Sequence, residues 1–261
     1  MTRTLVVTGG HPFEPAPWNE VWASMPFPVE HMAQPEALER IVPGRVDADV
    51  VIFYDMPGLR FTRDPSDPLE RIDPPSGYLD GLRRLLAGDG CERVGMVFLH
   101  HAVASWPASE EFAELVGGRF HYQPGTLRGV EYPDSGYVFD VRHTVEVLDT
   151  DHPICAGLPA SFELTDELYR FPVFEESVTP LMRTTYPINA STFFSADLAI
   201  RGERNSDRGW SHPDGSDLVA WTRDVDGGRL AYLQFGDGPV TYADPTFRQI
   251  LANAVAWAAA A

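Results

Sequence analysis

The sequence predicts an α/β fold: a doubly wound, mostly parallel sheet with helices on both faces and an elaborated second half, within a single domain spanning 1–261. Three observations predict it. Short continuous apolar runs recur at Thr4–Thr8, Val50–Tyr54 and Val94–Leu99, as in strands buried on both faces of a parallel sheet. Helical spacings stand between those runs. The 261 residues, 44% of them apolar, suffice for a sizeable core without disulfide or metal staples.

The elements follow in order. Thr4–Thr8 ends in Gly9-Gly10-His11-Pro12-Phe13, a turn that sets a histidine at the carboxyl end of the first strand, the site-forming edge of an open sheet. A short helix near Trp18–Met25, a strand at Val29–His31 and a helix over Pro35–Ile41, with Pro35 in its first turn, lead to Val50–Tyr54. Pro57–Pro75 reads as a loop over the sheet edge. Ser76–Leu86 has helical spacing and stops at Gly88-Asp89-Gly90. Val94–Leu99 runs into His100-His101, and Ser109 caps a helix with Glu110 and Glu111 in its first turn. Beyond that helix the pattern changes. Tyr137–Leu148 alternates in polarity. Thr179–Thr185, Leu218–Thr222 and Arg229–Gln234 are further strand candidates, the last two joined as a hairpin by an Asp-Gly-Gly turn. Thr246–Ala260 closes with helical spacing.

Charge narrows the partners. Twenty basic against 38 acidic residues leave a net charge of −18, which repels nucleic acid and anionic membranes. The acidic residues are spread along the chain, as solubility alone would also require. No apolar stretch approaches a membrane span, and Met1–Thr8 leads straight into a strand instead of a leader. Cys91 and Cys155 lack metal or redox spacing and read as reduced thiols. A cytoplasmic protein is expected.

The candidate chemistry lies in separate segments. His100-His101 occupy a strand–turn–helix elbow that holds the nucleophile in α/β hydrolases and class I glutamine amidotransferases. No Ser or Cys stands at this turn, so acyl transfer is disfavoured; histidines there serve as acid, base, hydrogen-bond donor or metal ligand. His11 ends a neighbouring strand and can face the same crevice. Asp166-Glu167 are adjacent, so on a strand only one can aim at a shared pocket. Asp237 stands between Gly236 and Gly238, suited to a site or to a tight turn. Trp106, Tyr169 and Trp210 offer aromatic faces near these segments. No HxH or HxxxH pair is present; a zinc or similar divalent ion would need His11, one histidine of the pair and a carboxylate from distant segments.

Taken in order, these segments resemble the trehalose-utilisation (ThuA-like) family. They are Gly9-Gly10-His11; Val97–Ala102 with Trp106-Pro107; His152-Pro153-Ile154 with Gly157-Leu158-Pro159; Asp166-Glu167-Leu168-Tyr169; the Gly228-Arg229 strand; and the Phe247–Trp257 helix. The resemblance implies a class I glutamine amidotransferase-like (flavodoxin-like) fold without the Cys nucleophile. It also implies a role in carbohydrate metabolism, on disaccharides or their 3-keto derivatives. It marks His11, His101 and Glu167, with Asp166 and Tyr169. One departure stands out: many members carry Gly-His where this chain has Gly236-Asp237. The leading expectation is acid–base chemistry on a small sugar, with His101 or Glu167 as base and His11 stabilising an oxygen. The alternatives are a non-catalytic sugar-binding or scaffold protein, and an amidotransferase- or hydrolase-like enzyme. Homo-oligomers are common for such folds, and Asn205–Asp217, holding Trp210 and His212, is a candidate lid.

Overall fold

The computed structural model describes residues 1–213 and 215–260. The apolar runs become β1 (Thr4–Gly9), β2 (Val29–Ala33) and β3 (Val50–Asp55), with α1 (Pro15–Ala23) and α2 (Glu36–Arg40) between them. The expected loop at 57–75 contains a hairpin, β4 (Leu59–Phe61) against β5 (Leu69–Arg71). Strands of three residues are too short to show a readable alternation. Next come α3 (Tyr78–Ala87), β6 (Gly95–Leu99), a tight 3-10 turn at His100–Ala104 and α4 (Glu110–Val116). Ser109 takes the cap position of α4 without a side-chain bond. A second hairpin, β7 (Gly125–Leu127) and β8 (Val130–Tyr132), precedes the long strands β9 (Gly136–Val147) and β10 (Ser161–Arg170). Then follow β11 (Thr179–Thr184), β12 (Phe194–Ser195), α5 (Ala196–Ile200), β13 (Leu218–Val225), β14 (Gly228–Leu233), α6 (Pro239–Ala243) and α7 (Pro245–Ala259).

One ten-stranded sheet runs β10-β9-β11-β13-β14-β6-β3-β1-β2, with β12 on β9. From β14 to β2 every neighbouring pair is parallel. From β10 to β14 every pair is antiparallel. The parallel part is doubly wound: alternate residues on each strand face opposite helix layers. Val7, Phe53, Phe98 and Tyr232 pack with Leu82 of α3 and Phe112 of α4. Val6, Ile52, Leu99 and Leu233 pack with Trp18 of α1 and with Phe247 and Ile250 of α7. Each fully buried side chain of this kind contributes about 1.5–3 kcal/mol.

Two local devices aim the site. Gly95 opens β6 where a Cβ would lie 2.3 Å from the Ala258 carbonyl oxygen, so α7 rests directly on the strand that leads into His100. On the other side, β9 and β10 shift register between Asp166 and Leu168. Phe139 and Asp140 there oppose the single residue Glu167, and Asp140 has φ +53°. This bulge bends the edge ribbon beside the strand ends. Among the described residues no helix is long and apolar enough to cross a membrane.

Candidate functional site

His100 is the first residue after β6 and has φ +52°. Non-glycine residues seldom adopt this conformation, and then mainly in tight, over-determined places. The Tyr232 hydroxyl donates to the His100 carbonyl at 3.0 Å. The ring is completely buried, and its Nδ1 lies 2.6 Å from the Gln234 carbonyl oxygen. A carbonyl only accepts, so Nδ1 carries a proton and Nε2 is the atom offered to the site. Within reach of Nε2 stand the Tyr169 hydroxyl at 2.8 Å, Glu167 Oε2 at 3.1 Å and Asp237 Oδ1 at 3.5 Å. The elbow position thus holds an imidazole between carboxylates where related folds hold a nucleophile.

Asp166 and Glu167 come from β10 of the antiparallel ribbon, and Asp237 from the loop that follows β14. Glu167 projects from β10 opposite the bulge in β9. Asp166 turns elsewhere: its oxygens accept the Gly236 and Asp237 N–H groups at 2.7 and 3.0 Å. It therefore holds the loop that presents Asp237, and its own carboxyl is absent from the cleft wall. Tyr54 reinforces the same loop by donating to the Gly236 carbonyl at 2.8 Å.

Burial opposes charge on His100, but the bonds and fields of Asp237 and Glu167 outweigh it and raise its pKa well above the usual value. Burial pushes Glu167 up to about 7, against the pull of His100. Asp237 resists the upward push of its own burial and stays below the ordinary carboxylate range because His100 and His11 face it. The other two histidines are neutral. Burial and the nearby His100 take His11 down to about 4, and burial takes His101 well below 6.5. Their rings stack at 4.2 Å. His101 Nε2 lies 3.3 Å from the Tyr54 carbonyl, which places this ring behind His11, outside the cleft lining.

The cleft beside this cluster has a volume of about 380 Å³. Gly10, His11 and Met56 line one wall, Glu167 and Tyr169 another, and Phe61, Phe120, Tyr122 and Tyr137 supply aromatic faces, with Arg204 at the rim. A hollow of about 560 Å³ elsewhere, near Glu146, Arg183 and Asp217, lacks such convergence; Arg183 there is already paired with Glu146 at 2.9 Å.

Of the residues singled out in the sequence, His11, His100, His101, Asp166, Glu167, Tyr169 and Asp237 come together. Trp106 does not join them: it is buried in the core, with its ring 5.7 Å from that of Tyr78. Trp210 packs over Gly136 and donates to the Asp134 carbonyl at 3.0 Å. Of the candidate lid segment, Asp214 lies outside the described residues, and Trp210 and His212 line no part of the cleft. Cys91 and Cys155 are free thiols, also away from the cleft. Among the described residues the set whose ligand atoms converge is His100, Glu167 and Asp237, all within 4.8 Å of one another, and His11 is not part of it. Sequence reading missed Tyr54, Tyr122, Tyr137 and Gln234. The strand-end rule could have flagged Tyr54 and Gln234; nothing local marks the other two.

Among solved structures the chain is similar to a protein described as ThuA-like from Parabacteroides merdae ATCC 43184. It superposes with TM-score 0.63 at 15% identity, covering 99% of this chain and 90% of that one. A second such protein, from Bacteroides uniformis ATCC 8492, gives TM-score 0.59 at 17% identity, covering 98% and 91%. A protein described as a GMP synthase subunit from Thermoplasma acidophilum gives TM-score 0.50 at 9% identity, covering 100% and 96%. These identities speak for the fold alone, which is glutamine amidotransferase-like. No curated protein matches the chain in sequence. The family model described as ThuA, trehalose utilisation, matches residues 88–258, the stretch that contributes His100, Glu167, Tyr169 and Asp237 to the site, and the chain belongs to the ThuA family.

Proposed function

We propose that the protein acts on a sugar, in particular a disaccharide or an oxidised (3-keto) glycoside, by acid–base chemistry, with Glu167 as general base. The observation that supports this reading is the cluster of buried His100 and Glu167 with half-buried Asp237 beside an aromatic-lined cleft of about 380 Å³. A carbonyl at sugar carbon three acidifies the adjacent C–H. Glu167, held near 7 by burial, removes that proton, and the bonding electrons move onto the carbonyl oxygen as an enolate. His11, neutral and on the cleft wall, donates an N–H to that oxygen. Return of the proton to a neighbouring atom gives isomerisation; expulsion of the glycosidic oxygen gives elimination. His100 and Asp237 set the basicity of Glu167, and Tyr122, Tyr137 and Tyr169 offer faces for the sugar ring. The free Cys91 and Cys155 fit a cytoplasmic setting.

Turnover of a 3-keto glucoside tests this. Glu167→Gln is expected to lower kcat by about 10³-fold with little change in KM. The wild-type rate is expected to climb as pH rises through about 7, where Glu167 loses its proton, and that limb is expected to vanish in the variant. Full turnover by Glu167→Gln overturns the reading.

One observation favours a second reading. With Nδ1 committed to a backbone carbonyl, His100 is oriented as metal-bound imidazoles are, and the three ligand atoms are close enough to share an ion. A divalent cation such as zinc would take His100, Glu167 and Asp237, making Glu167 a ligand instead of a base. Elemental analysis of the purified protein with and without chelator separates the two readings.

A further inference from the structure

Next to the cleft lies a second, smaller hollow of opposite character. It shares Tyr122 with the cleft, measures about 30 Å³, and is walled by Arg71, Arg119, His121 and Gly125. That volume has room for a group about the size of two waters. The same β4–β5 hairpin covers both spaces, Phe61 over the cleft and Arg71 over the hollow.

The polar groups here are incompletely satisfied. Arg119 is 3% exposed. Its terminal nitrogens donate to the Pro107 and Ser109 carbonyls, while its Nε is buried without a partner. His121 is 5% exposed, and its Nε2 is likewise buried without a partner. Arg71 donates weakly to the Gln123 and Pro124 carbonyls at 3.4 and 3.2 Å. Among the described residues neither arginine is ion-paired with a carboxylate. The acid whose field reaches Arg119 is Glu110, whose Oε2 accepts the Arg128 N–H at 3.2 Å. The cations weaken one another: burial, then Arg119 and Arg71, drive His121 down to about 3, and burial, followed by Arg71, lowers Arg119 to about 10 despite Glu110. Gly125 keeps the space open, since a Cβ there would lie 3.0 Å from His121 Nδ1 and 3.8 Å from Arg71 Nη1.

In a chain of net charge −18, a buried arginine without a carboxylate is costly unless an anion arrives. We propose that this hollow is an oxyanion subsite formed by Arg71, Arg119 and His121, which receives a carboxylate or phosphoryl group of the molecule whose sugar part lies in the cleft. Two guanidinium groups and a neutral imidazole N–H supply convergent donors, and arginine suits both planar carboxylate and phosphate oxygens. The substrate class is then an acidic sugar derivative. The link to sugar chemistry rests on the function proposed above; anion binding does not.

The test compares D-glucose, D-glucuronate and D-glucose 6-phosphate by isothermal titration calorimetry at low ionic strength. The wild-type protein is expected to bind one or both acids at least about tenfold more tightly than glucose. A preference for glucuronate identifies a carboxylate site, and a preference for the sugar phosphate a phosphoryl site. Arg71 is exposed, so Arg71→Gln is expected to fold normally and to abolish most of that preference. Gly125→Ala, which fills the hollow, is expected to do the same. Equal affinity for all three ligands, or an unchanged preference in both variants, overturns the subsite. Glu167→Gln is expected to keep the preference while losing turnover. If it keeps both, the acid–base reading fails and the subsite survives.

Discussion

The two halves of the sheet contribute to the site in different ways. The parallel strands β1, β3, β6 and β14 deliver positions: their carboxyl ends set His11, Tyr54, His100 and Gln234 around one crevice. Their interiors are wholly apolar, with Val6, Ile52 and Leu99 each 0% exposed, so rigid packing aims the side chains at the ends. The antiparallel β9–β10 ribbon delivers ionisable groups instead. It buries Asp166 and Glu167 at 4% exposure and needs a bulge to turn them. A strand-end scaffold carrying His100 and Asp237 thus meets an acidic edge ribbon, and the charged cluster exists only where they touch. Each carboxylate is stabilised by a partner from the other half: Glu167 by His100 and Asp166 by the Gly236–Asp237 amides.

Perturbing each side of this junction tests that division. The largest effect of three further substitutions is expected for His100→Asn. Asparagine tolerates a positive φ, so the elbow survives while the imidazole is lost. Activity on a 3-keto glucoside is expected to fall by about 10²–10³-fold with circular dichroism unchanged. Loss of the fold instead would show that His100 serves mainly to hold Gln234 and β14. A stability effect is expected at Gly10, which has φ +82° and whose Cβ would lie 2.5 Å from the Met56 carbonyl oxygen. Gly10→Ala is expected to cost about 2–3 kcal/mol in denaturant unfolding, because backbone, not a flexible side chain, must move. The smallest effect is expected for Tyr169→Phe. It removes one hydroxyl 2.8 Å from His100 Nε2 and is expected to lower kcat about tenfold without destabilising the edge ribbon.

Much of the parallel half was legible in advance. Val50–Tyr54 and Val94–Leu99 are apolar throughout, as strands covered on both faces are, and are too short for a buried helix. The β13–β14 turn was legible from Asp226-Gly227, whose φ values of +53° and +81° suit the mirror-image turn that short hairpins favour. The elbow histidines were visible because they follow an apolar strand directly. The edge ribbon was less readable. The bulge at Phe139–Asp140 breaks the period of its strand β9, and the short β4–β5 hairpin reads as loop. Trp106 shows the opposite failure: an aromatic residue beside a histidine pair looks like a sugar platform, yet its place depends on α3, where Tyr78 receives it. Asp237 looked like turn chemistry, and whether it faces a histidine depends on Asp166 holding its backbone.

The sequence by itself determined the main strands and helices of the doubly wound parallel half and the residue types available at its strand ends. Those follow from local periodicity, turn chemistry and short-range sterics, which act over a few residues. Tertiary structure alone decided that Glu167 meets His100 across 67 positions of chain, which nitrogen of His100 faces Glu167, and which aromatic rings line the cleft. It also decided that Arg71 and Arg119 share a hollow. Those outcomes depend on pairing distant strands and on desolvating charges together, and no local pattern in the chain encodes either one.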